Sequence, residues 1–473
     1  MLGNSDECAP QQSFPMTSPP TVRFAPSPTG RLHIGNVRTA VLNYLFALKH
    51  GGRFILRLDD TDRERSTEAF ADGIRQDLAW LGFEWDREQR QSARTERYAE
   101  VAEALVKLGR LYPCYETEDE LTRRRKRQLA QGRPPVYDRS GLRLSKDERA
   151  KLEAEGRKPH WRFRLANTEH ETGLVPQPTI VTWNDMVRGD QTVDAGSLSD
   201  PVLIRADGTF LYTFTSVVDD IDFVISHIIR GEDHVTNTGV QIQIFEAMGA
   251  EPPVFGHHSL LIGADGHALS KRLGALSVES FRTLGLEPMA VVCHAALIGT
   301  SDAIEPYIEM DELARLFDPA KISMAPGRFD VEDLKALNAR LLHKMPFDKV
   351  SGALARLGIG GGAAFWEAVR GNVTVLSETS GWWSIARSET RPLIEDAAFT
   401  RRAAALLPAE PWDETTWSRW TEAVKAATGT KGRALFHPLR LALTGRESGP
   451  ELKAFLPFIG RARALARLEG KAG

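Results

Sequence analysis

Residues 23–38 read RFAPSPTGRLHIGNVR, and this stretch decides the fold of the N-terminal part of the chain. Residues 21–24 have strand character, and the Pro, Ser, Thr and Gly that follow are typical of a tight loop. From Val37 onward apolar residues recur at helical spacing until the glycines at 51–52. The apolar run 54–58 then has the length of a buried parallel strand. The pattern predicts a βαβ unit.

The loop between the first strand and the first helix is the expected ligand site. Where such a loop meets a helix N-terminus, unpaired backbone N–H groups and the positive end of the helix dipole favour phosphate. His33 stands at this turn and can donate to a phosphoryl oxygen, while Gly35 lets the helix start lie close to a nucleotide. The residues therefore indicate phosphate handling.

The same stretch resembles the HIGH signature of class I aminoacyl-tRNA synthetases, and residues 23–30 narrow the resemblance to the glutamyl-tRNA synthetases. A match to HxGx alone would be weak, because other nucleotidylyltransferases share it. The match here extends over most of residues 23–38, which makes it specific.

Length and composition limit the number of domains and the class of protein. A chain of 473 residues is too long for one small core, and its 26% charged and 42% hydrophobic residues are ordinary for a globular protein. No apolar segment is long enough to span a membrane. Three widely spaced cysteines favour a reducing compartment, so we expect a cytoplasmic protein. Residues 1–20 have the composition of a disordered tail.

The net charge of −3 does not by itself indicate a nucleic-acid partner. The C-terminal segment 431–473 is different, since it carries nine Lys or Arg residues against three Glu. This basic segment can contact the phosphate backbone of a nucleic acid, although a solvated helix face is an equally good interpretation of the charge.

Carboxylates follow the second predicted strand at Asp59, Asp60 and Asp62. Ligands bind at the carboxyl ends of parallel strands, so Asp59 is expected to face the ligand. Asp60 and Asp62 fit a helix N-terminus with Ser66 as its N-cap. Helices are predicted over 66–81 and 95–108.

The region after Leu111 resembles the insertion that splits the nucleotide-binding fold of the family, and its basic run 123–127 could touch RNA or simply be a solvated helix face. Some relatives hold zinc there with Cys-x-Cys and a later Cys. This chain keeps Cys114, but the later cysteine near 137–141 is missing. One Cys with no nearby His cannot make a tetrahedral site, so we predict no zinc.

The sheet is predicted to resume with a strand over 210–220 and another over 223–229, followed by the charged segment 230–234. The Val-Val-Asp-Asp of 217–220 and the Arg-Gly-Glu-Asp-His of 230–234 resemble the corresponding segments of glutamyl-tRNA synthetases.

A glycine-flanked loop then carries Ser270, Lys271 and Arg272, which resemble the KMSKS loop of class I synthetases. Ala268 stands where most relatives have the first lysine, which leaves Lys271 as the main cation. Beyond about residue 275 the chain is predicted to be helical. Tryptophans between 366 and 420 fit a helical core better than RNA platforms, and residues 428–446 resemble the closing helices of the anticodon-binding half.

The resemblance covers nearly the whole chain after residue 20. It implies an α/β fold: a Rossmann-type parallel sheet with an inserted acceptor-binding domain, followed by a helical C-terminal anticodon-binding region. The expected divisions are a disordered tail (1–20), the first Rossmann half (21–110), the insertion (111–207), the second Rossmann half (208–262), the KMSKS-like loop with a stem-contact domain (263–345) and the anticodon-binding region (346–473).

The resemblance also implies an activity and its site. The activity is ligation of glutamate to tRNA(Glu), and in a non-discriminating enzyme also to tRNA(Gln), with ATP and Mg²⁺, by a monomer. His33 and Lys271 are the expected catalytic residues. The expected glutamate-binding residues are Arg23, Ala25, Ser27, Asp59, Tyr212, Ser216 and Arg230. The expected ATP-binding residues are His33, Gly35, Asn36, Ser270, Lys271 and Arg272.

Two of these assignments depart from the family pattern. Asp59 stands where glutamate is more usual and would hold the substrate ammonium from one methylene further back, and Ser216 stands where some relatives have Asn. Four other proteins share part of this pattern: the glutaminyl enzyme, which ends in β-barrels; a shortened paralogue that lacks the tail; a small-molecule nucleotidylyltransferase; and a non-catalytic RNA-binding relative. The long helical C-terminal part and the intact His33 and Arg230 speak against them.

Overall fold

The computed structural model describes residues 18–166, 179–267, 269 and 276–473. Two compact units divide the chain. The first runs to Val278 and includes Ala295–Ala303 and Met310–Phe329, and the second comprises Glu279–His294, Ile304–Glu309 and Asp330–Gly473.

The strands are β1 Thr21–Phe24, β2 Arg53–Leu58, β3 Arg87–Arg90, β4 Leu111–Cys114, β5 His160–Phe163, β6 Ile180–Asp185, β7 Gly189–Asp194, β8 Val202–Ile204, β9 His227–Gly231, β10 Val254–His258, β11 Leu261–Gly263 and β12 Gly327–Phe329. The helices of the N-terminal part are α1 Ile34–Lys49, α2 Glu68–Trp80, α3 Thr95–Lys107, α4 Glu118–Ala130, α5 Ser140–Arg143, α6 Lys146–Ala154, α7 Tyr212–Asp222 and α8 Val235–Ala247. The remaining helices are α9 Val278–Thr283, α10 Pro288–Leu297, α11 Met310–Leu316, α12 Val331–Lys344, α13 Phe347–Arg356, α14 Gly362–Val369, α15 Thr379–Arg387, α16 Ala397–Ala405, α17 Thr416–Thr428, α18 Arg433–Thr444, α19 Leu452–Ile459 and α20 Arg461–Leu468.

Two parallel sets of strands lie in the first unit. Strands β1, β2 and β3 pair in parallel, and β9, β10 and β6 form a second parallel set that β7 extends as a hairpin partner of β6. Ser226, just before β9, bonds to both the N–H and the carbonyl of Thr21. The two sheets therefore lie edge to edge, and the predicted parallel sheet is present.

Helix α7 corrects one prediction. Residues 210–220 alternate aromatic and β-branched residues and were predicted to be a strand, but they fold as a helix from Tyr212. Seven consecutive residues, 214–220, are buried. Apart from Ser216, residues 212–218 are aromatic or β-branched, the residue types enriched in strands, and the polar residues of the helix pair inside the protein instead of marking a solvent face.

The strand after α7 also begins later than predicted. Phe223 caps the helix, and Val224 has a positive φ of 54° in the turn that follows. The strand itself is His227–Gly231 rather than 223–229. At the start of α2 the N-cap is Thr67, whose side chain accepts from the N–H of Phe70, and not Ser66.

The insertion region forms a small antiparallel sheet in which β5 lies between β4 and β8. Helix α4 carries the basic run predicted to be a helix face, and none of its residues is buried.

The second unit is helical in its described part, as predicted. Trp366 and Trp420 are buried and donate to backbone carbonyls, so these tryptophans belong to the core. Arg467 is also buried and donates to carbonyls of Gly473, Leu443 and Ile385. This member of the basic C-terminal set is therefore structural. No helix among the described residues is long and apolar enough to cross a membrane.

Candidate active site

His33 lies at the N-cap of α1, where the loop after β1 ends. The His33 Nδ1 accepts from the backbone N–H of Gly35 at 3.1 Å. The backbone nitrogen of His33 lies 3.4 Å from Asn36 Oδ1, which completes a capping box. Burial lowers the pKa of His33. A neutral imidazole that accepts at Nδ1 carries its proton on Nε2, which is therefore a donor.

Gly35 is required for this arrangement. A Cβ at position 35 would lie 2.9 Å from Cε1 and 3.1 Å from Nδ1 of His33, so any side chain would displace the ring. The helix start and the His33 donor thus form one unit suited to an anionic oxygen.

A buried cluster of alternating charges lies next to this loop. Arg57 of β2 donates to both oxygens of Asp59, at 2.7 and 3.2 Å, and to Asp220 of α7 at 2.7 Å. Arg23 of β1 donates to the same Asp220 at 3.1 Å, and Arg57 also donates to Ser216 at 3.1 Å. The cluster fixes the ends of β1 and β2 against α7.

Asp219 continues the cluster on the other side of α7. Its carboxylate accepts from Gln91, Arg94 and Tyr98, the last at 2.9 and 3.0 Å. Because Tyr98 and Arg94 lie in or beside α3, this carboxylate ties α3 to α7 and holds the helix that carries Ser216.

Arg230 at the end of β9 is held in a different way. Its guanidinium donates to Tyr212 Oη at 3.2 Å, to Thr238 Oγ1 at 2.6 Å and to His257 Nε2 at 3.2 Å. Arg230 is only 4% exposed, and among the described residues no carboxylate pairs with it. Burial lowers its pKa, as expected for a desolvated cation without an anion.

Asp59 is the most perturbed carboxyl group of the site. Burial raises its pKa to about 6, although the neighbouring Arg57 opposes the rise. Both Asp59 oxygens accept from Arg57, and each oxygen retains a lone pair for a further donor. A ligand ammonium is the donor that would favour the ionised form.

The structure joins several of the predicted site residues through α7. Tyr212 and Ser216 lie one helical turn apart, and Tyr212 contacts Arg230 while Ser216 contacts Arg57. Ala25 is half-buried and Ser27 exposed in the loop after β1. Ala268, Ser270, Lys271 and Arg272 lie outside the described residues, so their assignments remain predictions.

Three residues of this region were not predicted. Arg57 was counted only as part of an apolar strand, although a charged residue inside a buried parallel strand is itself a signal of a paired or functional group. Asp220 was noted only within a matching segment. His257 had no sequence signal, because its contacts are made by residues distant along the chain.

Among the described residues of the insertion, one group could hold a metal ion, and it shows that Cys114 does have a histidine nearby, contrary to the prediction. His160 lies opposite Cys114 in the β4–β5 pair, and the ligand atoms of Cys114, Glu116 and His160 lie within 4.8 Å of one another. However, the Tyr137 hydroxyl lies 2.9 Å from Glu116 and 3.3 Å from the Cys114 sulfur, and Ser140 donates to Glu116. These hydroxyl groups occupy Cys114 and Glu116, and the group offers three protein ligands where a closed zinc site uses four.

We therefore still predict a protein without zinc. Burial raises the pKa of the Cys114 thiol to about 12, so the sulfur is expected to be a protonated thiol. Elemental analysis of purified protein should find far less than one zinc per chain, and a chelator should leave the melting temperature unchanged in the wild type and in Cys114→Ser alike. Stoichiometric zinc that stabilises only the wild type would contradict this.

Comparisons with known proteins agree with the geometry. The family model for the catalytic domain of class I tRNA synthetases (E and Q) matches residues 21–336, and a model for an anticodon-binding domain matches residues 388–471. The chain is 57% identical over 458 residues to glutamate–tRNA ligase 2 of Methylorubrum populi, covering 96% of this chain and 100% of the relative. It is 59% identical over 455 residues to glutamate–tRNA ligase 2 of a Methylobacterium species (strain 4-46), covering 96% and 99%.

A solved structure is similar throughout. The crystal structure of a glutamate tRNA ligase from Elizabethkingia meningosepticum in complex with its amino acid superposes with a TM-score of 0.79 at 26% identity, covering 95% of this chain and 98% of that chain. The resemblance seen in the sequence is thereby confirmed. The chain belongs to the class I tRNA synthetases of the glutamate and glutamine branch, among the glutamate–tRNA ligases.

Proposed function

We propose that the chain activates L-glutamate with ATP and transfers the glutamyl group to the 3′-terminal adenosine of tRNA(Glu), releasing AMP and pyrophosphate. The observation that carries the proposal is the buried Arg230, a cation that no carboxylate among the described residues neutralises. A buried unpaired charge is costly, and a ligand carboxylate would remove the cost.

The same cation supports the choice of glutamate over glutamine. A guanidinium can take a carboxylate in two parallel bonds, whereas the carboxamide of glutamine brings no charge and places an NH₂ donor opposite an N–H. Arg230 is held by neutral acceptors, so its charge stays available for the substrate.

Asp59 is proposed to hold the substrate ammonium. Its carboxylate is fixed by Arg57 at 2.7 Å, and the free lone pairs lie in a buried site where a second cation would stabilise the ionised form. Arg23, Ala25, Ser27, Tyr212 and Ser216 are proposed to complete the pocket.

The first reaction step needs no general base. The α-carboxylate of glutamate is ionised at neutral pH and can attack the α-phosphorus directly. The task of the protein is positioning and the neutralisation of charge on the leaving pyrophosphate. His33 Nε2–H is proposed to donate to a phosphoryl oxygen beside Gly35 and Asn36. Lys271, Ser270 and Arg272 are proposed to contact the phosphates, and Mg²⁺ supplies further charge neutralisation when bound.

The remaining parts of the chain serve the tRNA in this proposal. The insertion would hold the acceptor end over the adenylate, and the C-terminal helices would hold the anticodon. The mostly exposed basic helix α4 supports the first role. The buried thiols of Cys114 and Cys293 support a cytoplasmic location, and a monomer is proposed from the family pattern.

Aminoacylation with labelled glutamate tests the proposal, run in parallel on purified tRNA(Glu) and tRNA(Gln), with labelled glutamine as the control amino acid. We expect glutamate on tRNA(Glu) and no charging with glutamine. Glutamate on both tRNAs would make the enzyme non-discriminating. If neither tRNA(Glu) nor tRNA(Gln) is charged with glutamate, the proposed activity is refuted.

A further inference from the structure

We propose that Asp185 and His257 are positioning residues for glutamate recognition: together they orient the Arg230 guanidinium without neutralising it. The inference rests on the proposed function, since it gives Arg230 the task of binding a substrate carboxylate. The three residues come from the ends of β6, β10 and β9, which are neighbours in one sheet.

Asp185 is the fixed end of this chain of contacts. Its Oδ1 accepts from the backbone N–H groups of Val187, Arg188 and His257 at 3.0 to 3.1 Å. Its Oδ2 lies 2.5 Å from His257 Nδ1, and both side chains are fully buried. The indole N–H of Trp183 also donates to Oδ2, at 3.4 Å. Oδ2 is therefore an acceptor, and His257 must donate to it from Nδ1.

This contact sets the tautomer of His257. An imidazole that donates at Nδ1 keeps a lone pair at Nε2 when it is neutral, and burial lowers the pKa of His257. Nε2 lies 3.2 Å from Arg230 Nε and 2.9 Å from Thr238 Oγ1. Arg230 Nε–H can donate to Nε2 only in this tautomer.

These contacts fix the orientation of the Arg230 guanidinium. Nε and Nη2 of Arg230 donate to His257 and Thr238, and one N–H of Nη1 donates to Tyr212. These three bonds leave two of the five N–H bonds of an arginine side chain, one on each terminal nitrogen, and this pair is the fork that takes a carboxylate.

The interposed imidazole also explains why Asp185 does not weaken the site. A carboxylate in direct contact with Arg230 would compete with the substrate for its charge. Asp220 makes such direct ion pairs with Arg23 and Arg57, but no carboxylate among the described residues does so with Arg230. Through His257, the carboxylate fixes the orientation of Arg230 while a neutral nitrogen makes the contact.

Asp185→Asn tests the proposal most directly. The amide oxygen can still accept from the three backbone N–H groups, so the NH₂ group faces His257 Nδ1 and imposes the other tautomer, with Nε2–H against Arg230 Nε–H. We expect the KM for glutamate to rise about tenfold to a hundredfold, the scale of losing a hydrogen bond to a charged group. The KM for ATP should stay within about twofold, since no ATP contact changes.

Controls separate positioning from folding. Asp190→Asn makes the same chemical change on β7, where the exposed Asp190 accepts from Asn184, and should alter no KM. Glutamate-induced stabilisation against heat gives a second readout, which should shrink in Asp185→Asn. A wild-type glutamate KM in a folded Asp185→Asn protein, or an equal rise in both KM values, would overturn the proposal.

If Asp185→Asn fails to fold, a pair of variants at His257 tests the same positioning role. Gln can offer a carbonyl oxygen near the position of Nε2, whereas Leu offers no acceptor. We expect His257→Gln to retain clearly more glutamate affinity than His257→Leu, with equal ATP affinity. Equal glutamate affinity in the two variants would overturn the proposal, whereas failure of the wild type to charge glutamate would refute the proposed function instead.

Discussion

Replacing Arg230 with alanine is expected to lower kcat/KM for glutamate by about thirtyfold to several thousandfold, because truncating one partner of a buried charge pair costs about 2–5 kcal/mol. The protein should remain folded. Arg230 has no carboxylate partner among the described residues, so its removal leaves only neutral acceptors behind in the free enzyme. Aminoacylation at varied glutamate, with a thermal melt of the same sample, measures both effects.

Arg230→Lys is the matched control for this prediction. Lysine keeps the charge but replaces the planar fork with a compact ammonium, so glutamate recognition should be restored only in part. The alanine variant should also lose its preference for glutamate over glutamine, since the charge that distinguishes them is gone. Near-normal charging by Arg230→Ala, or its unfolding, would remove Arg230 from the proposed site.

The elements that could be predicted depend on residues that are close together along the chain. The β1–loop–α1 stretch combines a strand, a proline-rich loop and a helix start within residues 21–49, so it could be predicted from spacing alone. The glutamate-binding role of Arg230 comes from the resemblance to the family, supported by the charged segment 230–234 at a strand end, and it stays a prediction. Helix α7 was missed because its first turns are rich in aromatic and β-branched residues, and because its polar residues are buried against Arg57 and Gln91 and not exposed to solvent.

The support behind the site could not be predicted in the same way. Asp185 and His257 are 72 positions apart, and Arg57 and Asp220 are 163 positions apart. Neither pair carries a spacing signal, since the contact exists only after the strands have assembled. A family resemblance identifies the residues expected to contact the substrate, but it identifies less readily the residues that hold those side chains in place.

Arg57→Ala is expected to destabilise the first unit by about 3–5 kcal/mol, the usual cost of breaking a buried ion pair from one side. Arg57 donates to Asp59 and Asp220 and lies 3.7 Å from Asp219, so its loss leaves buried carboxylates with too little positive charge. The melting temperature should fall steeply at pH 8. Arg53→Ala, an exposed position at the start of the same strand, should change it little.

The pH dependence of that loss distinguishes electrostatics from packing. Burial already raises the pKa of Asp59 to about 6 with Arg57 present, and Arg57 is the main influence that opposes the rise. Without Arg57 the folded-state pKa rises further above the unfolded value, so the folded variant prefers the protonated acid. Its stability should therefore fall as pH increases from the unfolded pKa of about 4 through the raised folded pKa. The difference in melting temperature between wild type and Arg57→Ala should be smaller at pH 5 than at pH 8. An equal difference at both pH values would mean that Arg57 acts by filling space, and that the buried carboxylates do not depend on it for their charge.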